Sequence, residues 1–207
     1  MHLLQIQQEM GRDSMANLFA DVSSYQPDEL TYIKDLGAMG VVVKATQGSA
    51  DGTNYKNPKA LNQTQSALKA GLQTHLYHYA LYTGQQDAYN EADFFDSYAK
   101  ELGFDGDCVM VVDVEDPGIA QTAVFDNTVA FLQRLRDLGW AKLAVYSMAS
   151  WFLQDKLPTD DAIWVASYDV AQSGVDGATA WQFTNSYNGL PLDMSYDYTG
   201  LFTVEQF

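Results

Sequence analysis

The sequence predicts an α/β barrel, and three observations carry the prediction. Short β-like runs alternate with helical patterns through most of the 207 residues, the last quarter turns to strands alone, and acidic residues fall at the ends of several strands. About five β-then-α units followed by about three strands imply a barrel that begins like a TIM barrel and closes through β-hairpin connections.

The elements follow in order. LFADVS (18–23) reads as a first strand and leads to a polar helix near 27–36. GVVVKATQG (40–48) is the second strand, and a helix over 58–70 ends at Gly71, the residue that most easily takes the left-handed turn closing a helix. LQTHLYHYA (72–80) is a strand, 85–102 a helix, and VMVVDVED (109–116) a buried strand that runs into carboxylates. The helix over 121–138 carries Val124, Thr128, Phe131, Leu132 and Leu135 as an inward stripe at helical spacing, and Gly139 stops it. KLAVYSM (142–148) is a strand followed by a short helix around Trp151. AIWVASY (162–168), TAWQFT (179–184) and LDMSYDY (192–198) are then separated by Gly, Asn, Ser and Pro, with no room for a full helix. There is no internal repeat and no linker, so residues 17–207 read as one domain.

Composition narrows the function. An apolar content of 47% with 13% aromatics is ample for a core, and no apolar run is long enough to span a membrane as a helix. A formal charge of -16 with only 11 Lys and Arg argues against nucleic acid, whose phosphates need a basic face. The single Cys108 excludes an intrachain disulfide framework and a Cys-rich zinc site, and it is expected to sit buried at the start of its strand. His2, His75 and His78 make no HExxH pair, and His75 and His78 should face opposite sides of one strand. No metal or cofactor is expected. MHLLQIQQEMGRDSM lacks the parts of a secretory signal; residues 1–16 read as a leader of the kind an expression vector adds, with Met15 as the natural start. A chain made this way would be produced in the cytoplasm and released by another route.

The acids carry the chemistry. Asp113 and Glu115, two apart at the end of a strand, share one face while Val112 and Val114 share the other. Asp21 lies late in the first strand and Asp193 opens the last, which neighbours the first if the barrel closes. In such barrels the C-terminal strand ends form the site, so four carboxylates from three distant segments converge, and that crowding is costly enough to suggest function. Paired acids serve glycosidic cleavage, one protonating the leaving oxygen and the other stabilising or attacking an oxocarbenium-like centre. The plainer reading is a strand emerging into solvent, and a hard-cation site is the main chemical competitor. Sugar rings need flat apolar walls with polar edges, and Tyr25, Tyr77, Tyr79, Tyr146, Tyr168 and Trp181 stand at strand ends. Any one of them can equally be core, as Trp164 and Phe183 are expected to be. Gln182 is harder to dismiss, because a buried strand amide without a partner is costly.

The motifs FADVSSYQ (19–26), VVKATQG (42–48), YHYA (77–80), VVDVED (111–116), WVASY (164–168), WQFT (181–184) and LDMS (192–195) resemble, in order, those of family 25 glycoside hydrolases. These are lysozymes that cut the β-1,4 bond between N-acetylmuramic acid and N-acetylglucosamine in bacterial peptidoglycan. The resemblance implies a flattened (β/α)5β3 barrel with an acidic groove. It implies Glu115 as general acid and Asp113 as the group that orients the substrate acetamido or stabilises the cationic centre, with Asp21 and Asp193 completing the cluster. Tyr25, Gln47 and Ser195 depart from the family's usual residues; Gln47 stands where Glu is frequent. The acidic composition and signal-free start are similar to a phage endolysin's catalytic part, from which a wall-binding module is absent. Two rivals stay open. FDG (104–106) suggests a family 18 chitinase, which would need acids at 108, 110 and 112, where Cys108, Met110 and Val112 stand. A non-catalytic carbohydrate-binding barrel would keep the aromatics without needing the acids together.

Overall fold

A computed structural model describes residues 16–49 and 53–204. The leader expected over 1–16, with His2 and Met15, lies outside the described residues except for Ala16. The chain runs β1 (Asn17–Val22), α1 (Thr31–Asp35), β2 (Ala38–Gln47), β3 (Tyr55–Lys56), α2 (Ala60–Lys69), β4 (Gln73–Tyr79) and α3 (Gln85–Glu101). It continues through β5 (Met110–Asp113), α4 (Val124–Asp137), β6 (Leu143–Met148), α5 (Ala149–Phe152), β7 (Ala162–Ala166), β8 (Ala180–Thr184) and β9 (Asp193–Asp197).

Eight of these strands close a barrel in the order β1-β9-β8-β7-β6-β5-β4-β2, with β1 and β2 pairing to complete the ring. The two-residue β3 hangs on the end of β2. Five β-then-α units and three final strands give the expected (β/α)5β3 architecture. One expectation is corrected. The closing strands are not all joined by hairpins: β7 and β8 pair in parallel across a helix-free crossover, and only β9 is reversed, antiparallel to β8 and to β1. The reversal sets Asp193 directly opposite Asp21 in the ladder, both at the same rim.

Period-two alternation divides the apolar residues between two cores. Phe19, Val42, Val109, Val111, Ala144, Tyr146, Trp164, Ala180 and Phe202 fill the barrel interior. A larger layer, including Val41, Val43, Leu76, Val112, Val114 and Val145, packs the outer strand faces against the helices, with Phe95 of α3 and Phe131 and Leu135 of α4. The predicted stripe on α4 is buried throughout. His75 and His78 do face opposite sides. His75 lies edge-on to Phe202, and burial pushes its imidazole down to about 4; His78 bonds Thr46 Oγ1 and Glu91 Oε2 in the outer layer, each at 2.8 Å. Cys108 is buried just before β5.

The floor of the barrel is closed by the segment after β9. Asp197 accepts hydrogen bonds from the backbone N–H of Gly200 (2.9 Å) and Phe202 (2.8 Å) and from Thr203 Oγ1 (2.9 Å). The turn so fixed stacks Phe202 on Phe19, centroids 4.5 Å apart. Gly40 is required beneath it, because a Cβ there would lie 2.0 Å from the Phe202 carbonyl oxygen. The helix expected over 27–36 shrinks to five residues, and the reason is local. Backbone groups of the preceding turn are taken by α2 and its flank: Gln63 Nε2 donates to Ser23 O and Pro27 O, Lys59 Nζ to Gln26 O, and Ser66 Oγ accepts from Leu30 N.

Candidate active site

The C-terminal mouth of the barrel opens into a cavity of about 210 Å³ lined by Asp21, Tyr77, Asp113, Glu115, Tyr146, Trp164, Tyr168, Gln182, Asn185 and Asp193. The strand periodicity brings the acids here. β5 ends at Asp113, three residues earlier than expected, yet Val114 N still donates to Tyr146 O and the Val114 side chain stays buried in the outer layer. Glu115 therefore returns to the cavity side although it lies beyond the strand. Asp116 turns aside, accepting from Tyr79 Oη at 3.2 Å and from Gly118 N at 2.7 Å.

Gln182 organises one wall. Its Oε1 accepts from Tyr146 Oη at 2.8 Å and also from Tyr168 Oη, while its Nε2 donates to Asp21 Oδ2 at 2.8 Å. Two hydroxyl donors on one end and a carboxylate on the other fix the orientation of the amide. Only 2% of Gln182 is exposed, so it is a buried strand amide with all this work to do. Trp164 forms the floor beneath, its Nε1 donating to Ser195 Oγ at 3.0 Å and its ring edge-on to Tyr146.

Burial and mutual repulsion dominate the electrostatics. Burial holds Asp21 well above the usual carboxylate range, and Asp193 and Glu115 add to the effect while the Gln182 bond opposes it. Asp193 is pushed up to about 6 by burial, against a hydrogen bond with Asp21. The two residues face each other across the β1–β9 ladder. Asp113 is raised by burial and then by Glu115, and Glu115 by burial and then by Asp193. Lys44 opposes the rise in both. Tyr77 and Tyr146 are held in the neutral hydroxyl form by burial and by the same acids. Asp113 Oδ1 is buried without a hydrogen-bond partner, in a residue that lines the cavity.

The structure thus brings together Asp21, Asp113, Glu115, Asp193, Tyr77, Tyr146, Tyr168 and Gln182 from the expected set. Tyr79 stands just behind them, against Asp116 and the Lys44 ammonium. Two aromatics lie elsewhere. Trp181 adjoins Gln182 on β8, and neighbouring strand residues face opposite ways, so with Gln182 inward Trp181 points outward. There it packs on Phe183 and Tyr196 and donates to Ser167 O at 2.7 Å. Tyr25 sits in the turn after β1, 92% exposed and outside the cavity lining. Three residues escaped the sequence reading. Trp164 is both core and cavity floor, Asn185 enters from the β8–β9 hairpin, and Lys44 carried a signal of its own: a lone lysine inside the apolar run VVVKAT requires a reason to be there. Among the described residues no group of three His, Cys, Asp or Glu is arranged to hold a metal ion.

A barrel with an acidic, aromatic mouth is a frame for glycan chemistry, and the comparisons narrow it. The model of glycosyl hydrolases family 25 matches residues 20–190, so the chain belongs to that family and is a glycoside hydrolase. No curated protein matches it. Among solved structures it is similar to the catalytic domain of endolysin ply40 from bacteriophage P40 of Listeria monocytogenes, with 23% identity, TM-score 0.76, and 90% of this chain and 95% of that one covered. It is similar to the bacterial lysozyme from Streptomyces coelicolor, with 22% identity, TM-score 0.66, and coverage of 89% and 93%. It is also similar to the modular Cpl-1 endolysin, solved with a peptidoglycan analogue, with 22% identity, TM-score 0.69, and coverage of 92% and 56%.

Proposed function

We propose that the protein is an N-acetylmuramidase that hydrolyses the β-1,4 bond between N-acetylmuramic acid and N-acetylglucosamine in bacterial peptidoglycan, as the lytic enzyme of a phage or prophage. The observation that carries this reading is the convergence of Asp21, Asp113, Glu115 and Asp193 in one cavity at the mouth of a family 25 barrel. Glu115 is the general acid. It is partly open to the cavity, and burial with the Asp193 charge keeps its proton on at a pH where an ordinary glutamate would have lost it. It delivers that proton to the glycosidic oxygen as the bond to the muramyl carbon lengthens.

The Asp113 carboxylate accepts the acetamido N–H of the muramyl residue, which favours its ionised form and places negative charge beside the developing oxocarbenium centre. Asp21 and Asp193 face each other on the opposite wall, both held above the usual carboxylate range, and Gln182 fixes Asp21 in place. Tyr146 and Trp164 supply apolar surface with polar edges for the ring. A cavity of about 210 Å³ is smaller than sites that swallow a whole drug-sized ligand, so the rest of a glycan strand runs across the open rim. Turbidity loss of purified walls tests the reading. Wild-type protein should clear them, and Glu115→Gln should lose at least about 100-fold in rate with its thermal unfolding intact, since an amide of the same shape cannot give the proton. Near-native lysis by that variant would move the acid elsewhere.

A further inference from the structure

Lys44 of β2 is paired in register with Tyr77 of β4, which lines the cavity, and it feels the charges of Asp113 and Glu115. Its ammonium lies 4.7 Å from the centroid of the Tyr79 ring, 5.7 Å from Tyr55 and 6.0 Å from Tyr77, and it donates to Gln47 Oε1 at 2.9 Å. Three aromatic faces attract a cation without neutralising it. The hydrogen-bond acceptor is likewise a neutral amide. We propose that Lys44 is a positioning residue for glycan hydrolysis, holding positive charge against Asp113 and Glu115, and that the neutrality of Gln47 leaves that charge undivided.

The inference rests on the muramidase reading for its catalytic meaning, but its electrostatic content stands by itself. The rings around Lys44 are Tyr55 from β3 and Tyr77 and Tyr79 from β4, and the charges that act on it are Asp113 from β5 and Glu115 from the loop beyond; Asp116 is held by Tyr79 Oη, and Asp21 and Asp193 line the cavity. Tyr77 and Tyr79 stay neutral, so they add no negative charge beside the Lys44 ammonium. Burial pulls its own pKa below that of an ordinary lysine, and Asp113 and Glu115 pull it back. With four crowded carboxyls favouring the protonated state, a fixed cation is what lets one of them ionise while another keeps its proton. A glutamate at position 47 would take the place of the amide oxygen 2.9 Å from the ammonium and form an ion pair with it, adding a further acid and quenching the cation at once.

The test compares wild type, Lys44→Met, Lys44→Arg and Gln47→Glu by pH–rate profiles on purified walls and by 13C NMR titration of the Asp113 and Glu115 carboxyls. Lys44→Met should move both carboxyl titrations and both limbs of the profile to higher pH by about one unit, the displacement expected of one charge across a partly solvated site. Lys44→Arg should restore the wild-type profile. Gln47→Glu, whose fold keeps Lys44 and its aromatic cradle, should move the titrations the same way. Unmoved carboxyl titrations in Gln47→Glu and Lys44→Met would overturn the proposal, as would an arginine variant behaving like the methionine one. If the titrations move while wild-type protein cuts no glycan, the muramidase reading fails and the electrostatic role of Lys44 stands.

Discussion

Asp193 offers a test in which stability and function pull apart. A carboxyl whose folded pKa is raised holds its proton more tightly in the fold than in the unfolded chain. Its contribution is therefore fully present below about pH 4 and is lost as the pH rises through its folded value of about 6. The interval between 3.8 and about 6 corresponds to about 3 kcal/mol at 1.36 kcal/mol per tenfold. The side chain is partly open to water and titrates with Asp21, so the recoverable amount is nearer ~1–2 kcal/mol. Asp193→Asn removes the ionisable group while keeping the shape of the side chain opposite Asp21. At pH 7.5 the variant should unfold roughly 3–6 °C above wild type, from about 2–4 °C per kcal/mol for a chain of this size. At pH 4 the two should nearly coincide. Thermal unfolding by circular dichroism at both pH values measures this, with wall lysis reduced in parallel. An equal gain at both pH values, or a loss at pH 7.5, would refute the reasoning.

Further expectations follow from other parts of the site and fold. Gln182→Leu strands Asp21 Oδ2 and the Tyr146 and Tyr168 hydroxyls, so it should cost about 1–3 kcal/mol in urea unfolding and lower the lysis rate, whereas Trp181→Phe on the outer face should leave the rate within a few-fold. Phe202→Ala empties the barrel floor and should cost about 3–5 kcal/mol by the same measurement, with lysis retained at low temperature where the fold persists. The rate should fall on the alkaline side as Glu115 loses the proton that burial and Asp193 help it keep; a rate still climbing above about pH 9 on an uncharged substrate would contradict that assignment.

The barrel was legible because its signals are local and repetitive. Alternating apolar runs, the α4 stripe and the glycine stops each specify one element, and the order of elements specifies the ring. The acids were legible for a related reason: Asp113 and Glu115 two apart need one face, and that face is inward because Val112 and Val114 fill the other. What local pattern could not give was the partner across a strand pair. Trp181 and Gln182 were both plausible ligands as residue types, and only the period of the strand, applied to both together, shows that one must turn away. The parallel pairing of β7 with β8 was hidden because a helix-free crossover of that length looks like a hairpin in sequence. Lys44 was overlooked as a single basic residue in a strand, since its meaning lies in carboxylates contributed by β5 and the loop after it. The short α1 likewise depends on Gln63 and Ser66, which reach the turn from a helix 36 to 40 residues on.

The central claim is the bond that breaks, and the new reducing end names it. Walls digested by the protein, reduced with borohydride and hydrolysed, should yield muramitol, because Glu115 protonates the oxygen leaving toward N-acetylglucosamine while the muramyl carbon carries the developing charge. Glucosaminitol instead, or new amino groups without new reducing ends, would contradict the account.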